Sequence, residues 1–385
     1  MSNARVAICQ PYFIMGGRLS LVLGIVKTLN AMGIEPDILS LGYSFTPDQI
    51  RRKYGHDLRM NFRTISRFSP WHRLPQDYQI LVFNRLLKKH TSEYALLINS
   101  SNSQLDLPSN TRVMSYIHFP REYRIRESAA AGYATNKRSL KAMLFKLSDS
   151  LLQRIYRRSR VQPGHYIVCN SQFSKECFLS VFPNYTKDIP VIYPPVKLDE
   201  YRVLENPARS GMISSGRFAI TKMQLEQIML AEQLPTIDFH IVGFVTDPAY
   251  FARCRSYVES HGLKNVHLFP DLDYTKMVEL LNASRYFLHT LVNEPFGITA
   301  VEAIAAGCIP IVHDSGGQKE TVPLPELRYR SLQDISRILL QLEIKSPQEL
   351  RDIISALQTN AQEQFDEPVF IEKMTNLLRN ILMEK

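Results

Sequence analysis

The residues best suited to bind a ligand lie in one short segment, residues 293–302, with the sequence NEPFGITAVE. Its proline and glycine predict a loop up to Gly297, and the small-residue run after it predicts a helix that ends at Gly307. The backbone amides of Gly297, Ile298 and Thr299 would then lie at the N-terminus of this helix, where the helix dipole favours an anion. A diphosphate is the anion that we expect there.

Two glutamates belong to the same segment. Glu302 is predicted to lie in an otherwise apolar helix, where an unpaired carboxylate is costly, so it needs hydrogen-bond donors from the protein or from a ligand. Ribose hydroxyls are suitable donors, and a neighbouring backbone or basic group is the alternative. Glu294 precedes the helix, where it would accept hydrogen bonds from sugar hydroxyls or simply be favoured by the helix dipole.

Two basic residues lie close together near the start of the second half of the chain. Arg217 follows a predicted strand and Lys222 lies five residues further on; a pair of solvated side chains is the default interpretation. The sequence Asp271-Leu272-Asp273 has the spacing of an Asp-x-Asp metal motif, but Asp273 is well placed to cap a helix that begins at Tyr274. This capping role accounts for the motif without a metal, and we predict neither a metal nor another cofactor.

The elements that position these residues are predicted to be parallel strands. Short β-branched runs alternate with amphipathic stretches of helical length, which is the pattern of βα units. Strands are predicted at residues 6–9, 36–41, 95–99, 113–117 and 166–169, and then at 212–215, 239–242, 266–269, 286–289 and 309–313. The double proline Pro194-Pro195 separates the two sets. We therefore predict an α/β fold with two doubly wound domains, 1–200 and 201–367, and a helix at 368–383 that packs back on the first.

Composition restricts the class of protein. A chain of 385 residues with 45% hydrophobic and 22% charged residues is an ordinary folded protein, large enough for two domains. Its five cysteines are scattered without a Cys-x-x-Cys pair, which argues against a disulfide framework or a zinc site and favours a reducing compartment. The first residues have no signal-peptide-like apolar region, and no apolar run of about 18 residues occurs, so we expect a cytoplasmic protein.

Charge is distributed unevenly along the chain. Residues 1–200 carry 28 Lys and Arg against 14 Asp and Glu, whereas residues 201–385 carry 18 against 23. Much of the excess lies in residues 121–160, where an apolar stripe repeats every four residues. Such a helix would lie on an anionic membrane surface and make the protein peripheral to the membrane; packing of the stripe on the first domain is the alternative. No nucleic-acid-binding motif accompanies the charge, so nucleic acid is not an expected partner.

Glu294 and Glu302, with seven residues between them, resemble the E-x7-E motif of retaining glycosyltransferases of the GT-B fold, family 4 (glycosyl transferases group 1). The likeness extends to Phe-Gly, Val-Glu-Ala and Ala-Ala-Gly in the same stretch and to the downstream Ser315-Gly316-Gly317. It implies two Rossmann-like domains with the active site in the cleft between them. It also implies transfer of a hexosyl group from a nucleotide diphosphate sugar to an acceptor hydroxyl, with retention of configuration.

Roles for individual residues follow from this resemblance. It implies that Glu294 contacts the donor sugar, that Glu302 binds the donor ribose and that Leu272 contacts the nucleotide base. His118, just beyond a predicted strand, is similar to the active-site histidine of the family, so His118 and Glu294 are the predicted catalytic residues. The implied diphosphate contacts are Gly16, Gly17, Arg217, Lys222, Phe296, Gly297, Ile298 and Thr299.

Four stretches, residues 116–120, 170–171, 193–196 and 293–298, resemble the GDP-mannose-dependent mannosyltransferases that extend lipid-linked oligosaccharides. They favour mannose as the sugar, GDP-mannose or a UDP-sugar as the donor, and a lipid-linked sugar or another glycan as the acceptor. Met223 departs from the family, which usually has Gly or Asn after the lysine. Two other functions stay open because fold does not fix function: a GT-B-like phosphorylase or epimerase, and a non-catalytic module that binds anionic lipid.

Overall fold

The computed structural model describes residues 4–13, 17–44, 49–50, 58–66, 76–101, 103–124, 161–201 and 209–384. The chain divides into two compact units. The first consists of Met1–Pro195 together with Phe370–Lys385, and the second consists of Val196–Val369. Each unit is described by itself below.

The first unit is built on a six-stranded parallel sheet in the order β3-β2-β1-β4-β5-β6. Its strands are Val6–Cys9 (β1), Asp37–Ser40 (β2), Asn61–Thr64 (β3), Leu96–Asn99 (β4), Val113–Ile117 (β5) and His165–Cys169 (β6). Its described helices are Gly17–Ala31, Gln76–Leu87 and Gln172–Val181. The strands β1, β4 and β5 are buried along their whole length, as expected for a parallel sheet that is covered on both faces.

The C-terminal helix Glu367–Met383 contributes to the core of the first unit from Phe370 onward. Phe370, Met374, Leu378 and Ile381 recur on one face and are buried in the cluster that contains helix Gly17–Ala31. The approach is close at Gly24, where an added Cβ would lie 2.8 Å from Pro195 Cγ and 3.0 Å from Phe370. The apolar stripe of the last helix therefore completes the hydrophobic core of the first unit.

The second unit has a sheet of the same design, in the order β12-β11-β10-β7-β8-β9, and every pairing is parallel. Its strands are Ser210–Ser215 (β7), Phe239–Gly243 (β8), Val266–Pro270 (β9), Ser284–His289 (β10), Ile309–His313 (β11) and Arg328–Tyr329 (β12). Its helices are Gln224–Glu232, Pro248–Ser260, Tyr274–Ala283, Ile298–Ala305, Gln318–Thr321, Leu332–Glu343 and Pro347–Phe365. Short 3-10 turns occur at Leu198–Tyr201, Ile220–Lys222 and Pro325–Leu327.

The predicted fold class is confirmed, since each unit is a doubly wound parallel sheet with flanking helices. Each of the ten predicted strands is present, with ends that differ by at most two residues from the prediction. The edge strands β3 and β12 were not predicted. No helix in the described part of the chain is both long and apolar enough to cross a membrane.

Candidate functional site

The candidate residues of the second unit lie where its strand order reverses. Strands β7 and β10 are neighbours in the sheet although two strands, β8 and β9, and three α-helices separate them along the chain. Ligands of open α/β sheets bind at the carboxyl ends of the strands at such a reversal. A recess at this place is lined by Gly216 after β7, by His289 and Leu291 at the end of β10, and by Lys222.

Lys222 and Glu294 form an ion pair at this recess. The distance from Lys222 Nζ to Glu294 Oε2 is 2.9 Å, and the side chains are only 23% and 18% exposed. The resemblance places these two residues on different parts of a donor, on the diphosphate and on the sugar. In the structure they contact each other, so a ligand that uses both must exchange or share this ion pair.

A buried polar network fixes the backbone of Lys222. Its carbonyl oxygen accepts a hydrogen bond of 2.8 Å from the Thr290 hydroxyl, and Thr290 in turn accepts one of 2.6 Å from Gln227 Nε2. The Ser214 hydroxyl donates to Gln227 Oε1 at 2.6 Å. Ser214 of β7, Gln227 of helix Gln224–Glu232 and Thr290, the residue after β10, therefore converge on the peptide that carries the lysine.

The turn after Lys222 is conformationally unusual. Met223 ends the 3-10 turn and starts helix Gln224–Glu232 with φ 56° and ψ 36°, in the left-handed region. This region is unfavourable for residues other than glycine and, to a lesser degree, asparagine. The usual Gly or Asn at this place is therefore explained by backbone geometry, and Met223 adopts the same conformation at a cost.

The loop that carries Glu294 is held by the segment after β11. Gly317 N–H donates to Glu294 O at 2.8 Å, and Asn293 N–H donates to Ser315 Oγ at 2.8 Å. The two segments are in close contact. A Cβ on Gly316 would lie 2.4 Å from Glu294 O, and a Cβ on Gly317 would lie 2.1 Å from Pro295 O. The Ser-Gly-Gly sequence thus has a packing role, because it lets two backbones approach and positions the Glu294 loop.

The helix Ile298–Ala305 begins at this loop. Gly297 precedes it with φ 99°, a conformation open to glycine. Among the described residues, the amides of Gly297, Ile298 and Thr299 have no backbone acceptor. They satisfy the geometric requirement for an anion site at a helix N-terminus. The ring of Phe296 is 2% exposed and packs against another ring, so a ligand would meet its backbone and not its side chain.

Glu302 has a partner within the second unit. The Tyr201 hydroxyl donates a hydrogen bond of 2.8 Å to Glu302 Oε1. Burial raises the pKa of the Glu302 carboxyl, and the Tyr201 hydrogen bond opposes that rise. The Tyr274 hydroxyl donates to Glu200 Oε2 at 3.0 Å, and its ring lies edge-on to Tyr201 at 6.0 Å. The expected need of the carboxylate for a donor is thus met by the protein on one oxygen.

Three other candidates belong to the second unit. Arg217 is exposed in the loop after β7, and its carbonyl oxygen accepts a hydrogen bond of 2.8 Å from Gln224. Leu272 is partly exposed in the turn between β9 and the next helix. Asp273 caps that helix by accepting from Lys276 N–H at 3.0 Å, so its predicted capping role is confirmed.

The candidates of the first unit are described in part. His118 follows β5, its ring lies 5.3 Å from that of Tyr116, and its carbonyl oxygen accepts a hydrogen bond of 3.0 Å from Ser174. Gly17 is the first residue of helix Gly17–Ala31, whereas Gly16 and most of the basic segment, residues 125–160, lie outside the described residues. Their predicted roles stay predictions.

Two residues that contact the predicted glutamates, Tyr201 and His289, were not among the sequence-based candidates. Tyr201 bonds a residue 101 positions away, and no local pattern marks such a contact. His289 is 5% exposed at the end of β10, and its Nε2 lies 3.5 Å from Glu294 Oε2. Burial lowers the pKa of His289 to about 4, while Glu294 raises it and Lys222 lowers it. Its proximity to the predicted strand end was the one available signal.

Comparison with known proteins relates this geometry to a family. Residues 202–325 match the family model described as "Glycosyl transferases group 1". The match covers the strands β7 to β11, the Lys222–Glu294 pair and Glu302. It therefore includes the candidate residues of the second unit from Arg217 to Glu302, whereas Tyr201, the partner of Glu302, lies one residue before the match.

Similar curated sequences share one description, "GDP-Man:Man(3)GlcNAc(2)-PP-Dol alpha-1,2-mannosyltransferase". The Candida albicans protein is 49% identical over 47 residues, 12% of this chain and 8% of that protein. The Caenorhabditis elegans protein is 21% identical over 257 residues, 58% of this chain and 54% of that protein. The Homo sapiens protein is 26% identical over 179 residues, 41% of this chain and 36% of that protein. The aligned parts thus span at most about half of these relatives.

Solved structures resemble the chain over nearly its whole length. Sucrose-phosphate synthase from Thermosynechococcus elongatus has a TM-score of 0.73 at 17% identity, with 98% of this chain and 99% of that chain covered. The lipopolysaccharide glycosyltransferase WaaG has a TM-score of 0.70 at 15% identity, with 97% and 99% covered. Anabaena Alr3699/HepE in complex with UDP and glucose has a TM-score of 0.69 at 15% identity, with 98% and 100% covered. At these identities the likeness concerns the fold.

Proposed function

Because the chain contains a glycosyl transferases group 1 domain and has the GT-B fold, we propose that this glycosyltransferase moves a hexosyl group, preferably mannose, from a nucleotide diphosphate sugar to an acceptor hydroxyl. One observation carries the proposal. Lys222 lines the recess at the carboxyl ends of β7 and β10 and pairs with Glu294. A Cβ on Gly297 would lie 3.9 Å from Glu294 Cγ, so the helix start that presents the amides of Gly297 to Thr299 adjoins this pair. A diphosphate with an attached sugar matches this combination of anion donors and a carboxylate.

Charge stabilisation is the chemical task that we assign to the basic groups. When the bond from the sugar to the diphosphate breaks, negative charge develops on the leaving diphosphate. Lys222, Arg217 and the amides at the helix N-terminus would stabilise that charge, and preorganised donors of this kind supply a large part of enzymatic rate acceleration. Removal of one such donor typically costs about 100-fold or more in kcat.

The two glutamates have separate tasks in this proposal. Glu302 lies four residues after Ile298 along the helix, which at about 1.5 Å per residue is roughly 6 Å. That distance suits a ribose attached to a diphosphate at the helix N-terminus, so we assign Glu302 to the ribose hydroxyls and Glu294 to the sugar. The roles of His118, Gly16, Gly17, Leu272 and the Phe296 backbone stay as the sequence resemblance implies them.

The identity of the donor and acceptor is a proposal from the relatives. Their printed descriptions name GDP-Man as donor and a Man(3)GlcNAc(2)-PP-Dol acceptor, so we test a GDP-mannose donor and a lipid-linked or other glycan acceptor first. Retention of configuration and independence of a divalent metal complete the proposal. An anionic membrane is proposed as a surface partner of the basic segment 121–160.

Turnover with defined donors tests the function. The full chain is incubated with GDP-mannose or UDP-glucose, with and without a mannoside acceptor, and the products are identified by mass spectrometry. We expect acceptor-dependent transfer from one donor that persists in EDTA, with a product whose anomeric configuration, measured by NMR, equals that of the donor. Turnover that requires inorganic phosphate in place of the acceptor would establish a phosphorylase instead, and absence of transfer and donor hydrolysis would refute an enzymatic role.

The membrane proposal has a separate test. Vesicles that contain an anionic lipid should retain the chain at low salt and release it at high salt, because the attraction is screened. Neutral vesicles are the control. Equal retention by both vesicle types would contradict it without affecting the transferase proposal.

A further inference from the structure

His289 is a buried histidine beside the Lys222–Glu294 pair that no predicted role uses. It ends β10, the strand at the reversal of sheet order, and its side chain is 5% exposed. A histidine buried in a doubly wound sheet loses its hydration, and this loss costs free energy unless the ring nitrogens form hydrogen bonds. The partners of its two ring nitrogens therefore decide what the residue does.

The Nδ1 atom of His289 acts as a hydrogen-bond acceptor. Gln318 Nε2 lies 3.0 Å from it and also donates to Leu291 O at 2.8 Å. An amide nitrogen has two hydrogens, so both contacts are satisfied at once. If the Gln318 amide were flipped, its Oε1 atom would face the carbonyl oxygen of Leu291, and both of these oxygens are acceptors. The neutral ring must then carry its proton on Nε2.

The Nε2–H group of His289 points towards the site. Nε2 lies 3.5 Å from Glu294 Oε2, the same oxygen that Lys222 Nζ contacts at 2.9 Å. Among the described residues, the charged groups that act on the ring are Glu294 and Lys222, and burial lowers the pKa of the imidazole to about 4. Near neutral pH the ring is thus an uncharged donor, and it leaves the balance of one positive and one negative charge in the recess unchanged.

We propose that His289 is a positioning residue, whose Nε2–H orients the Glu294 carboxylate for the sugar of the donor. The inference rests on the proposed function, since it concerns the sugar contact of the same site. A separation of 3.5 Å without ligand is long for a hydrogen bond, and such contacts commonly tighten when the substrate binds. The hydrogen bond from Gln318 to Nδ1 fixes the tautomer of His289. The Glu294 loop is held by a separate hydrogen bond, from Gly317 N–H to Glu294 O.

Two substitutions separate the two ring nitrogens. In His289→Gln the side-chain amide places an N–H near the position of Nε2, whereas in His289→Asn the shorter side chain offers an acceptor near Nδ1 and no donor towards Glu294. Both variants replace the same buried imidazole by a smaller side-chain amide, so both lose packing contacts at this position. A purely structural role of His289 would make the two variants equivalent.

Calorimetric binding tests the inference with matched ligands, GDP against GDP-mannose and UDP against UDP-glucose. We expect both variants to bind the nucleoside diphosphate within about twofold of wild type. His289→Asn should weaken the nucleotide sugar about tenfold, the effect of one lost hydrogen bond to a charged group, and His289→Gln about threefold or less. The turnover of His289→Asn should show a loss in kcat that His289→Gln largely restores.

Two results would overturn the role of His289. Equal weakening of nucleotide and nucleotide sugar, or equal behaviour of the two folded variants, would reduce the residue to core packing. Circular dichroism verifies folding, and if His289→Asn does not fold, Gln318→Leu, which removes the partner of Nδ1, must reproduce the selective loss of nucleotide-sugar affinity. Failure of the wild type to bind any nucleotide sugar is a distinct result, which defeats the proposed function itself.

Discussion

Replacement of Met223 by glycine is expected to stabilise the second unit. Met223 has φ 56° and ψ 36°, and the left-handed conformation costs a residue with a Cβ roughly 1–2 kcal/mol. Glycine removes that clash, but it loses more backbone entropy on folding, and this loss destabilises the folded state by roughly 0.5–1 kcal/mol. The side chain is only partly buried, so little apolar contact is lost. The balance is a gain of about 1 kcal/mol in the free energy of unfolding.

Thermal unfolding followed by far-UV circular dichroism measures this gain. A unit of this size should rise by about 2–4 °C in Tm for 1 kcal/mol. Met229 provides the matched control, since it is another methionine, 38% exposed, in the adjoining helix Gln224–Glu232. Met229→Gly should lower the stability by about 1 kcal/mol, because glycine is a poor helix former.

The same variant also tests the link between the turn and the site. Because glycine adopts the left-handed conformation readily, Lys222 should keep its position and its ion pair with Glu294, and nucleotide affinity should stay within about twofold of wild type. A Met223→Gly protein that is destabilised as much as Met229→Gly would refute the assigned strain. Loss of nucleotide affinity without loss of stability would refute the claim that the backbone alone sets the turn.

The remaining predictions concern the Glu294 loop and two buried polar groups. Gly316→Ala should lower nucleotide-sugar affinity more than tenfold in calorimetry, because its Cβ would lie 2.4 Å from Glu294 O, whereas Gly262→Ala, with φ +59 and open space, should cost about 1 kcal/mol in stability and leave binding intact. The pKa of His289 is about 4 in the folded protein against 6.5 for an ordinary histidine. Its contribution to stability is therefore lost as pH falls from 6.5 towards 4, by up to about 3 kcal/mol. In urea titrations His289→Gln should flatten the pH dependence of the unfolding free energy between pH 7 and 4.5, and an unchanged dependence would contradict this prediction. Tyr201→Phe removes a 2.8 Å hydrogen bond to the carboxylate of helix Ile298–Ala305 and should cost roughly 1.5–3 kcal/mol; an unchanged Tm would show that this bond contributes nothing.

The parts of the fold that the sequence predicts are those with strong local patterns. The β1 run Val6–Cys9 is apolar throughout, the β5 run Val113–Ile117 is apolar except for Ser115, and both are buried, so their ends were predicted correctly. The edge strand Asn61–Thr64 has the sequence NFRT and is exposed or half-buried. It forms because β2 offers a row of backbone partners, and neither hydrophobic period nor composition indicates such a strand.

The same distinction holds for the site. The loop, the helix start at Gly297 and the cap at Asp273 follow from residue types over a few positions, so they were visible in the sequence. The Lys222–Glu294 pair joins residues 72 positions apart, and only family resemblance suggested that they belong together. The partners of His289 and Tyr201 also come from distant segments, so tertiary packing alone shows their contacts.

The most direct test of the donor site is the affinity of the full chain for a nucleotide sugar before and after Glu302→Ala. Isothermal titration with GDP-mannose and with UDP-glucose compares wild type, Glu302→Ala and the control Glu259→Ala, whose side chain is 67% exposed on helix Pro248–Ser260. We predict that one donor binds wild type and Glu259→Ala equally and binds Glu302→Ala at least tenfold more weakly. Equal affinity of all three proteins would contradict the assignment of this site.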